Sequence, residues 1–247
     1  MTTTQIEVPR WTADELHQMV LGGKPQVAVF DCDGTLWSGD SGYGFMVWSL
    51  EQGLVSRSTT DWIDTRYRAY VAGQVSEEEI CGAMVQIYAG LREHELRAAA
   101  ADYVTQFVAG HEFAEIASLV AQLRQRGTEL WAVSSTNRWV VAEGVRAFGI
   151  DEAHVLAAEV RVDDGLISSD LVAVPSGAGK AVALRKAGLP NPDAVFGNSI
   201  HDLAMLEMAR HAYPVNPSPA LLKAAGKHGW GYFQPEGVKA AAAAGGE

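Results

Sequence analysis

Asp31 and Asp33 stand two residues apart at the end of the apolar run Val27-Ala28-Val29-Phe30, and Gly34-Thr35-Leu36 follows them. In an extended segment this spacing puts both carboxylates on one face, with Cys32 turned the other way. Carboxylates this close repel, so a fold keeps them when a cation joins them or when one holds a proton. Either condition serves chemistry, as a metal site or as a nucleophile beside an acid. On these residues alone an aspartate that merely caps the next turn is an equal reading.

Three later segments have the same character. Trp131-Ala132-Val133 runs into Ser134-Ser135-Thr136-Asn137 ahead of a helical stretch. Hydroxyls and backbone N–H groups placed there suit a phosphate oxygen, and they equally suit a helix cap. Gly177-Ala178-Gly179-Lys180 puts a lysine at a helix entrance, where the helix dipole disfavours a cation unless an anion needs it. The glycine spacing and the lack of Ser or Thr after the lysine distinguish it from a phosphate-binding loop. Val195-Phe196-Gly197 ends in Asn198, with Asp202 four residues on. Both side chains carry oxygens suited to a cation of the magnesium type.

The elements that must hold these residues follow from periodicity. Val27 to Phe30 reads as a buried strand. Thr12 and Glu15 form a capping box that opens a short helix, ended at Gly22-Gly23-Lys24-Pro25. Between 38 and 110 the pattern predicts helices near 42–52, 59–72, 76–89 and 92–109, with Ser76 and Glu79 as a second capping box and no strand. From Glu112 the chain alternates: helix to Arg126, strand 129–133, helix 138–148, a hairpin over 155–172, helix 179–187, strand 194–196, helix 202–209 and strand 212–215. Alternation of this kind means an α/β protein with a parallel sheet and helices on its faces. A helical block is inserted after the first strand, and the Ala/Gly-rich tail frays.

Composition limits the setting. The chain is 48% hydrophobic and 20% charged over 247 residues, which is ordinary for a globular protein with a core and one insertion. No apolar run approaches the roughly 20 residues of a membrane span. Residues 1–23 lack the basic start and apolar centre of a signal peptide, so a cytoplasmic protein is expected. The net charge of -11 argues against nucleic-acid or membrane partners, and any anionic substrate must be held by local groups. Cys32 and Cys81 offer neither a disulfide framework nor a zinc pattern, and each reads as a small buried hydrophobe. Oligomeric state is not legible.

Taken in order, strand-Asp-x-Asp-Gly-Thr, strand-Ser, Gly-x-Gly-Lys and strand-Gly-Asn-x-x-x-Asp resemble the motifs of the haloacid dehalogenase superfamily of phosphohydrolases. The resemblance spans Asp31 to Asp202 and looks closest to the phosphoserine phosphatase-like branch, whose helical cap lies between the first two motifs. It implies a doubly wound, Rossmann-like parallel sheet with an inserted all-helical cap domain: residues 1–37 and 111–235 as catalytic core, 38–110 as cap, 236–247 as a disordered tail. It also implies a magnesium-dependent phosphatase that hydrolyses a small phosphomonoester through an aspartyl-phosphate. Asp31 would be the nucleophile, Asp33 the acid and then the base, Ser134 a donor to a phosphoryl oxygen and Lys180 its counter-charge. Thr35 and Ser135 would bind the phosphate, and Asp31, Asp33, Asn198 and Asp202 would hold Mg2+. Members often carry Asp where this chain has Asn198; the amide oxygen can still ligate a hard cation, with one negative charge fewer. Alternatives are a phosphotransferase with the same intermediate and a catalytically weakened phospho-ligand-binding protein. His201 is given no proton-transfer role.

Substrate choice is less legible. Asp40 falls where phosphoserine-specific relatives place an acid for the substrate amine, which points to an amino-alcohol or amino-acid phosphate; a helix cap accounts for Asp40 equally well. Trp37, Tyr43, Trp48 and Trp62 read as an aromatic wall for an ammonium group or as the core of the helical block. Arg57, Arg66 and Arg68 read as a carboxylate site or as a solvated face.

Overall fold

A computed structural model describes residues 8–237. The strand β1 (Arg10–Trp11) precedes α1 (Ala13–Gly22), which opens on the expected capping box between Thr12 and Glu15. In β2 (Val27–Phe30) the side chains alternate. Ala28 and Phe30 join a hydrophobic cluster with Leu16 and Leu119, while Val29 joins a second one with Val133, Leu184 and Leu206. Both faces of the strand are therefore covered, as a parallel sheet requires.

The chain then leaves the sheet for α2 (Ser41–Glu51), α3 (Arg57–Val71), α4 (Glu77–Gln86) and α5 (Glu93–Phe107). Asp40, Ser56 and Ser76 cap the first three of these helices. The outgoing and returning segments lie side by side: Ser38 N–H donates to the His111 carbonyl and Phe113 N–H to the Leu36 carbonyl, each at 3.0 Å. The remaining elements are α6 (Ala114–Gln125), β3 (Glu129–Asn137), α7 (Arg138–Val145), β4 (Val155–Asp163), β5 (Leu166–Ala173), α8 (Ala178–Lys186), β6 (Ala194–Gly197), α9 (Leu203–Glu207), β7 (His211–Pro214), α10 (Pro219–His228) and β8 (Tyr232–Phe233).

The main sheet runs β5-β4-β3-β2-β6-β7, parallel throughout except for the β4–β5 hairpin. β2 lies where the winding changes direction, the place at which such sheets open a crevice beyond their strand ends. Phe30 stands opposite both Ala132 and Phe196. Asp31 and Asn198 consequently leave the carboxyl ends of β2 and β6 side by side, next to Ser134 on β3. Phe30, Phe196 and Tyr213 stack across β2, β6 and β7 with 4.4 and 5.0 Å between ring centroids, each pair worth roughly 0.5–1.5 kcal/mol beyond its burial.

The helical block packs directly on this sheet. α4 lies against β3, β4 and β5, and α5 lies along α7. Phe45, Ile63, Ile80 and Leu96 from the block share one hydrophobic cluster with Phe30, Leu119 and Val140.

Some elements differ from expectation. β3 runs on through Ser134–Asn137, because β4 stays beside it through a register shift between Val133 and Asn137. α10, not among the expected helices, starts from a Ser218 cap with proline in its first turn, a signal present in the sequence. β1 and β8 form a two-stranded parallel pair that joins opposite ends of the described chain. Of the expected tail, Glu236 is held by a 3.1 Å hydrogen bond from its N–H to Glu115, and residues 238–247 lie outside the described residues. No helix among the described residues is long and apolar enough to cross a membrane.

Candidate active site

Asp31 continues the parity of Val29 and so leans toward the face that α8 covers. Lys180, in the first turn of α8, is 2% exposed. Its Nζ lies 2.7 Å from Asp31 Oδ1 and 2.5 Å from Asp202 Oδ1, which explains a cation at a helix start. Thr35 donates its hydroxyl to Asp31 Oδ2 at 2.8 Å. Asp202 Oδ2 accepts the N–H groups of Asn198 and Ser199 at 2.9 and 2.8 Å, folding the turn after β6 around its own carboxylate. Two carboxylates thus share one ammonium out of reach of bulk water. Burial and the charge of Asp202 push Asp31 up to about 7, against the pull of Lys180 and Thr35. Burial favours neutral Lys180, but Asp202 and Asp31 outweigh it and hold the ammonium above its ordinary value.

Asp33 is held differently. Trp37 Nε1 and the Ser41 N–H donate to its Oδ1 at 2.7 and 2.8 Å, and the Thr136 hydroxyl donates to Oδ2 at 2.7 Å. With about four acceptor positions on a carboxylate, one on Oδ2 stays open for a proton. Ser134 accepts the Thr136 N–H at 3.1 Å, which leaves its own hydroxyl hydrogen free for a ligand. Two glycines permit these approaches. A Cβ on Gly42 would stand 2.6 Å from Thr136 Oγ1, and one on Gly34, whose φ is +77°, would stand 1.9 Å from Asn198 Nδ2.

These groups border a cavity of about 330 Å³, at the small end of the range of about 300–1,000 Å³ for ligand pockets. The sheet side contributes Asp31, Asp33, Ser134, Ser135, Thr136, Lys180, Asn198, Ser199 and His201. The helical block contributes Asp40, Tyr43, Tyr67, Tyr70, Glu77, Ile80, Cys81 and Met84. Tyr43 and Tyr67 stack at 4.4 Å, with Tyr70 6.0 Å from Tyr67. Glu77 Oε2 lies 2.5 Å from His201 Nε2, and Ser176 donates its hydroxyl to Glu77 Oε1 at 2.9 Å, so α4 is tied to two loops of the sheet. Burial would raise Glu77, but His201 and Ser176 hold it below its ordinary value. The same pairing raises His201. A larger depression of about 740 Å³ beside Trp11, His111 and Phe233 lies away from all of these groups.

The expected residues are sorted by this geometry. Asp31, Asp33, Asp40, Ser134, Ser135, Lys180 and Asn198 border the cavity. Thr35 and Asp202 are fully buried behind it, and Thr35 donates its hydroxyl to Asp31. The four expected metal ligands are placed differently. Trp37, Ser41 and Thr136 occupy the Asp33 carboxylate, and Asp202 is committed to Lys180 and its own turn. Among the described residues no three His, Cys, Asp or Glu side chains group around a common point for a metal. Asp31, Asp33 and Asn198 of the four border the cavity, and the Asn198 nitrogen abuts Gly34, leaving its oxygen as the free end. A carboxylate and an amide oxygen beside excess negative charge fit magnesium, which keeps several waters and takes substrate phosphate as further ligands.

Asp40 caps α2 through the Tyr43 N–H at 2.8 Å and also lines the cavity. Of the aromatic candidates only Tyr43 borders it. Trp37 serves Asp33, Trp48 packs with Phe45 and Tyr103, and Trp62 lies half-exposed beneath Arg66. Arg57, Arg66 and Arg68 are absent from the lining, and Arg68 pairs with Asp64. The residues missed are Tyr67, Tyr70, Glu77, Cys81 and Thr136. The i, i+3 spacing of the two tyrosines on one helix face was a usable signal; nothing local marked Glu77 or Cys81.

The fold and cavity define an α/β enzyme with its reactive groups at the carboxyl ends of parallel strands. The profile of the family described as haloacid dehalogenase-like hydrolase matches residues 28–207, and the chain belongs to that family. It is 28% identical over 213 residues to a probable phosphatase of Mycobacterium tuberculosis, covering 82% of this chain and 73% of that protein. It is 23% identical over 215 residues to a histidinol-phosphatase of Neisseria meningitidis, covering 83% of this chain and 96% of that one. Among solved structures, a Bordetella pertussis protein of unknown function matches with a TM-score of 0.74 at 23% identity, covering 84% of this chain and 97% of that chain. A substrate-bound phosphoserine phosphatase matches at 0.56 with 16% identity, covering 85% and 92%. The chain is accordingly a hydrolase of the haloacid dehalogenase-like family.

Proposed function

We propose that the protein is a magnesium-dependent phosphatase of small phosphomonoesters that works through an aspartyl-phosphate on Asp31, with residues 38–110 acting as the cap. The observation that carries this reading is the convergence on one small cavity of Asp31 bound to Lys180, Ser134 with a free hydroxyl, and Asp33 with one open acceptor position. An Asp31 oxygen attacks phosphorus, and the bond from phosphorus to the organic oxygen breaks as Asp33 gives that oxygen its proton. Water then attacks the phosphoryl group, Asp33 takes the water's proton, and Asp31 is released with inorganic phosphate. Lys180 and the Ser134 hydroxyl stabilise the charge on the phosphoryl oxygens in both steps. Asp31 and Asn198 would hold magnesium, with Asp202 behind them; bound there, the ion neutralises phosphate charge and favours the ionised form of Asp31. The helical block excludes water from the cavity.

Phosphate release from a panel of phosphomonoesters, with and without magnesium, tests this. Release is expected only with magnesium, and Asp31→Asn is expected to lower it by at least about 10³-fold. Activity unchanged in Asp31→Asn would overturn the mechanism. Binding of phosphomonoesters without any turnover would favour the phospho-ligand-binding alternative, for which Asn198 is the argument.

A further inference from the structure

We infer, building on the phosphatase reading of the cavity, that Glu77 of the helical block is a positioning residue for phosphoryl transfer, fixing the loop that presents Lys180 against the turn that presents Asn198. Three glutamates open α4. Glu79 closes the capping box with Ser76, Glu78 is exposed, and Glu77 alone turns inward, its side chain 15% exposed. A helix start is served by an acid facing either way, and recessing this one costs solvation unless it is paired. Both of its oxygens are used. Oε1 accepts the hydroxyl of buried Ser176 at 2.9 Å, and Oε2 meets His201 Nε2 at 2.5 Å.

Those partners follow different strands. Ser176 lies between β5 and α8; its carbonyl accepts the Gly179 N–H at 2.8 Å, and the Gly177 carbonyl accepts that of Lys180 at 3.2 Å, so this loop sets where Lys180 leaves the backbone. His201 follows β6, and its N–H donates to Ser199 Oγ at 3.1 Å within the turn that carries Asn198. Among the described residues no other hydrogen bond or ion pair joins the helical block to either segment. On the inner side the two segments are joined through Lys180 itself, which is bound to Asp31 and Asp202. An ammonium has three N–H donors, so one remains for a phosphoryl oxygen. As charge develops on that oxygen it draws on Lys180, and Glu77 then holds the outer joint while the inner one is shared. The outer joint comes from the helix whose Ile80, Cys81 and Met84 line the cavity, so the same contact sets how the block sits over Lys180 and Asn198.

Steady-state kinetics of the magnesium-loaded protein test this, with p-nitrophenyl phosphate as substrate and inorganic phosphate as competitive inhibitor. Glu77→Ala is expected to lower kcat/KM about 10-fold and to raise the inhibition constant of phosphate by a similar factor, the scale of losing a hydrogen bond to a charged group. Phosphate has no organic part, so its affinity reports the two loops and not the fit of the block around a leaving group. Combining Glu77→Ala with Ser176→Ala or with His201→Ala is expected to cost less than about twofold beyond Glu77→Ala alone, because members of one network do not add. Glu77→Gln keeps an oxygen for Ser176 and an amide for the imidazole, and is expected to stay within about threefold of the wild type. Phosphate affinity unchanged in Glu77→Ala would overturn the inference, as would losses that multiply in the double variants, or Glu77→Gln as impaired as Glu77→Ala. Should Glu77→Ala fail to fold, Ser176→Ala leaves α4 intact and decides by the same measurement: a raised inhibition constant upholds the inference and an unchanged one overturns it. If no phosphomonoester is hydrolysed the phosphatase reading fails by itself, and calorimetric binding of inorganic phosphate to wild type and Glu77→Ala takes the place of inhibition. Binding about 10-fold weaker in the variant upholds the positioning role; equal binding, or none to the wild type, overturns it.

Discussion

Asp31 and Asp33 are two residues apart and bring their carboxylates to one cavity, yet their surroundings differ in kind. Asp31 shares Lys180 with Asp202 in a buried cluster, while Asp33 is suspended between Trp37, the first N–H of α2 and Thr136. The first arrangement suits an attacking oxygen next to a cation, and the second fixes the direction of a proton donor. Thr136→Val removes the donor to Asp33 Oδ2 at nearly constant volume. It is expected to cost about 10- to 100-fold in kcat/KM on an alkyl phosphate, whose leaving oxygen needs a proton, and less than about threefold on p-nitrophenyl phosphate, whose leaving group does not. Steady-state kinetics on both substrates checks this; equal losses would mean that Thr136 supports only the fold. The two acids, Ser134 and Lys180 were legible in the sequence because each sits within a few residues of a strand end or helix start. The hydrogen bonds that distinguish Asp33 from Asp31 were not, since Thr136 is over a hundred positions away along the chain.

At the level of elements, α2 matters beyond its own length. Its first N–H donates to Asp33, its cap Asp40 borders the cavity, and Gly42 lets it close on Thr136 at the end of β3. Alanine favours a helix by about 1 kcal/mol over glycine. At position 42 its methyl group would press on Thr136, so Gly42→Ala is expected to destabilise the protein by about 1–3 kcal/mol, as overpacking does. Phosphatase activity is expected to fall with it as Asp33 loses the Ser41 N–H. Urea unfolding and kinetics measure the two effects, and a stabilised, fully active variant would show that α2 need not approach so closely. The helices of the block were readable from capping boxes and periodicity. Their seating was not, because the buried residues of the block, such as Ile80 and Leu96, carry the same apolar pattern whichever surface covers them.

For the molecule as a whole, the buried cluster of Asp31, Lys180 and Asp202 sets function against stability. Asp31, raised to about 7, binds its proton more tightly in the folded than in the unfolded chain, where a value near 3.9 applies. Its contribution to folding therefore declines as pH rises from about 4 through 7. In metal-free protein Asp31→Asn leaves Lys180 paired with Asp202 and removes the excess charge. It is expected to raise stability by about 1–3 kcal/mol at pH 8, less at pH 5, while abolishing turnover. Magnesium is expected to raise the Tm of the wild type and to leave that of Asp31→Asn nearly unchanged. Thermal unfolding with chelator and with added magnesium checks both, and a metal-free variant less stable than wild type at both pH values would mean that the Asp31 to Lys180 pair outweighs the repulsion.

The order of the elements, the insertion after the first strand and the reactive residues at strand ends were determined by the sequence alone, since each rests on periodicity or spacing within about ten residues. Only the tertiary structure decided what the cavity presents to a ligand. Tyr67, Tyr70 and Glu77 line the same cavity as Asp31 and Lys180 because α4 packs over the sheet and α3 packs on α4. The commitment of His201 to Glu77 and the absence of the three candidate arginines from the lining are results of that packing. Asp31-Cys32-Asp33 announced a cation or a shared proton; Lys180 and Asp202, brought in from well beyond 150 on the chain, decide that Asp31 is the carboxylate paired with a cation. The reason is physical: local spacing fixes which way a side chain leaves the backbone, whereas its charge state and partners depend on what other segments bury beside it.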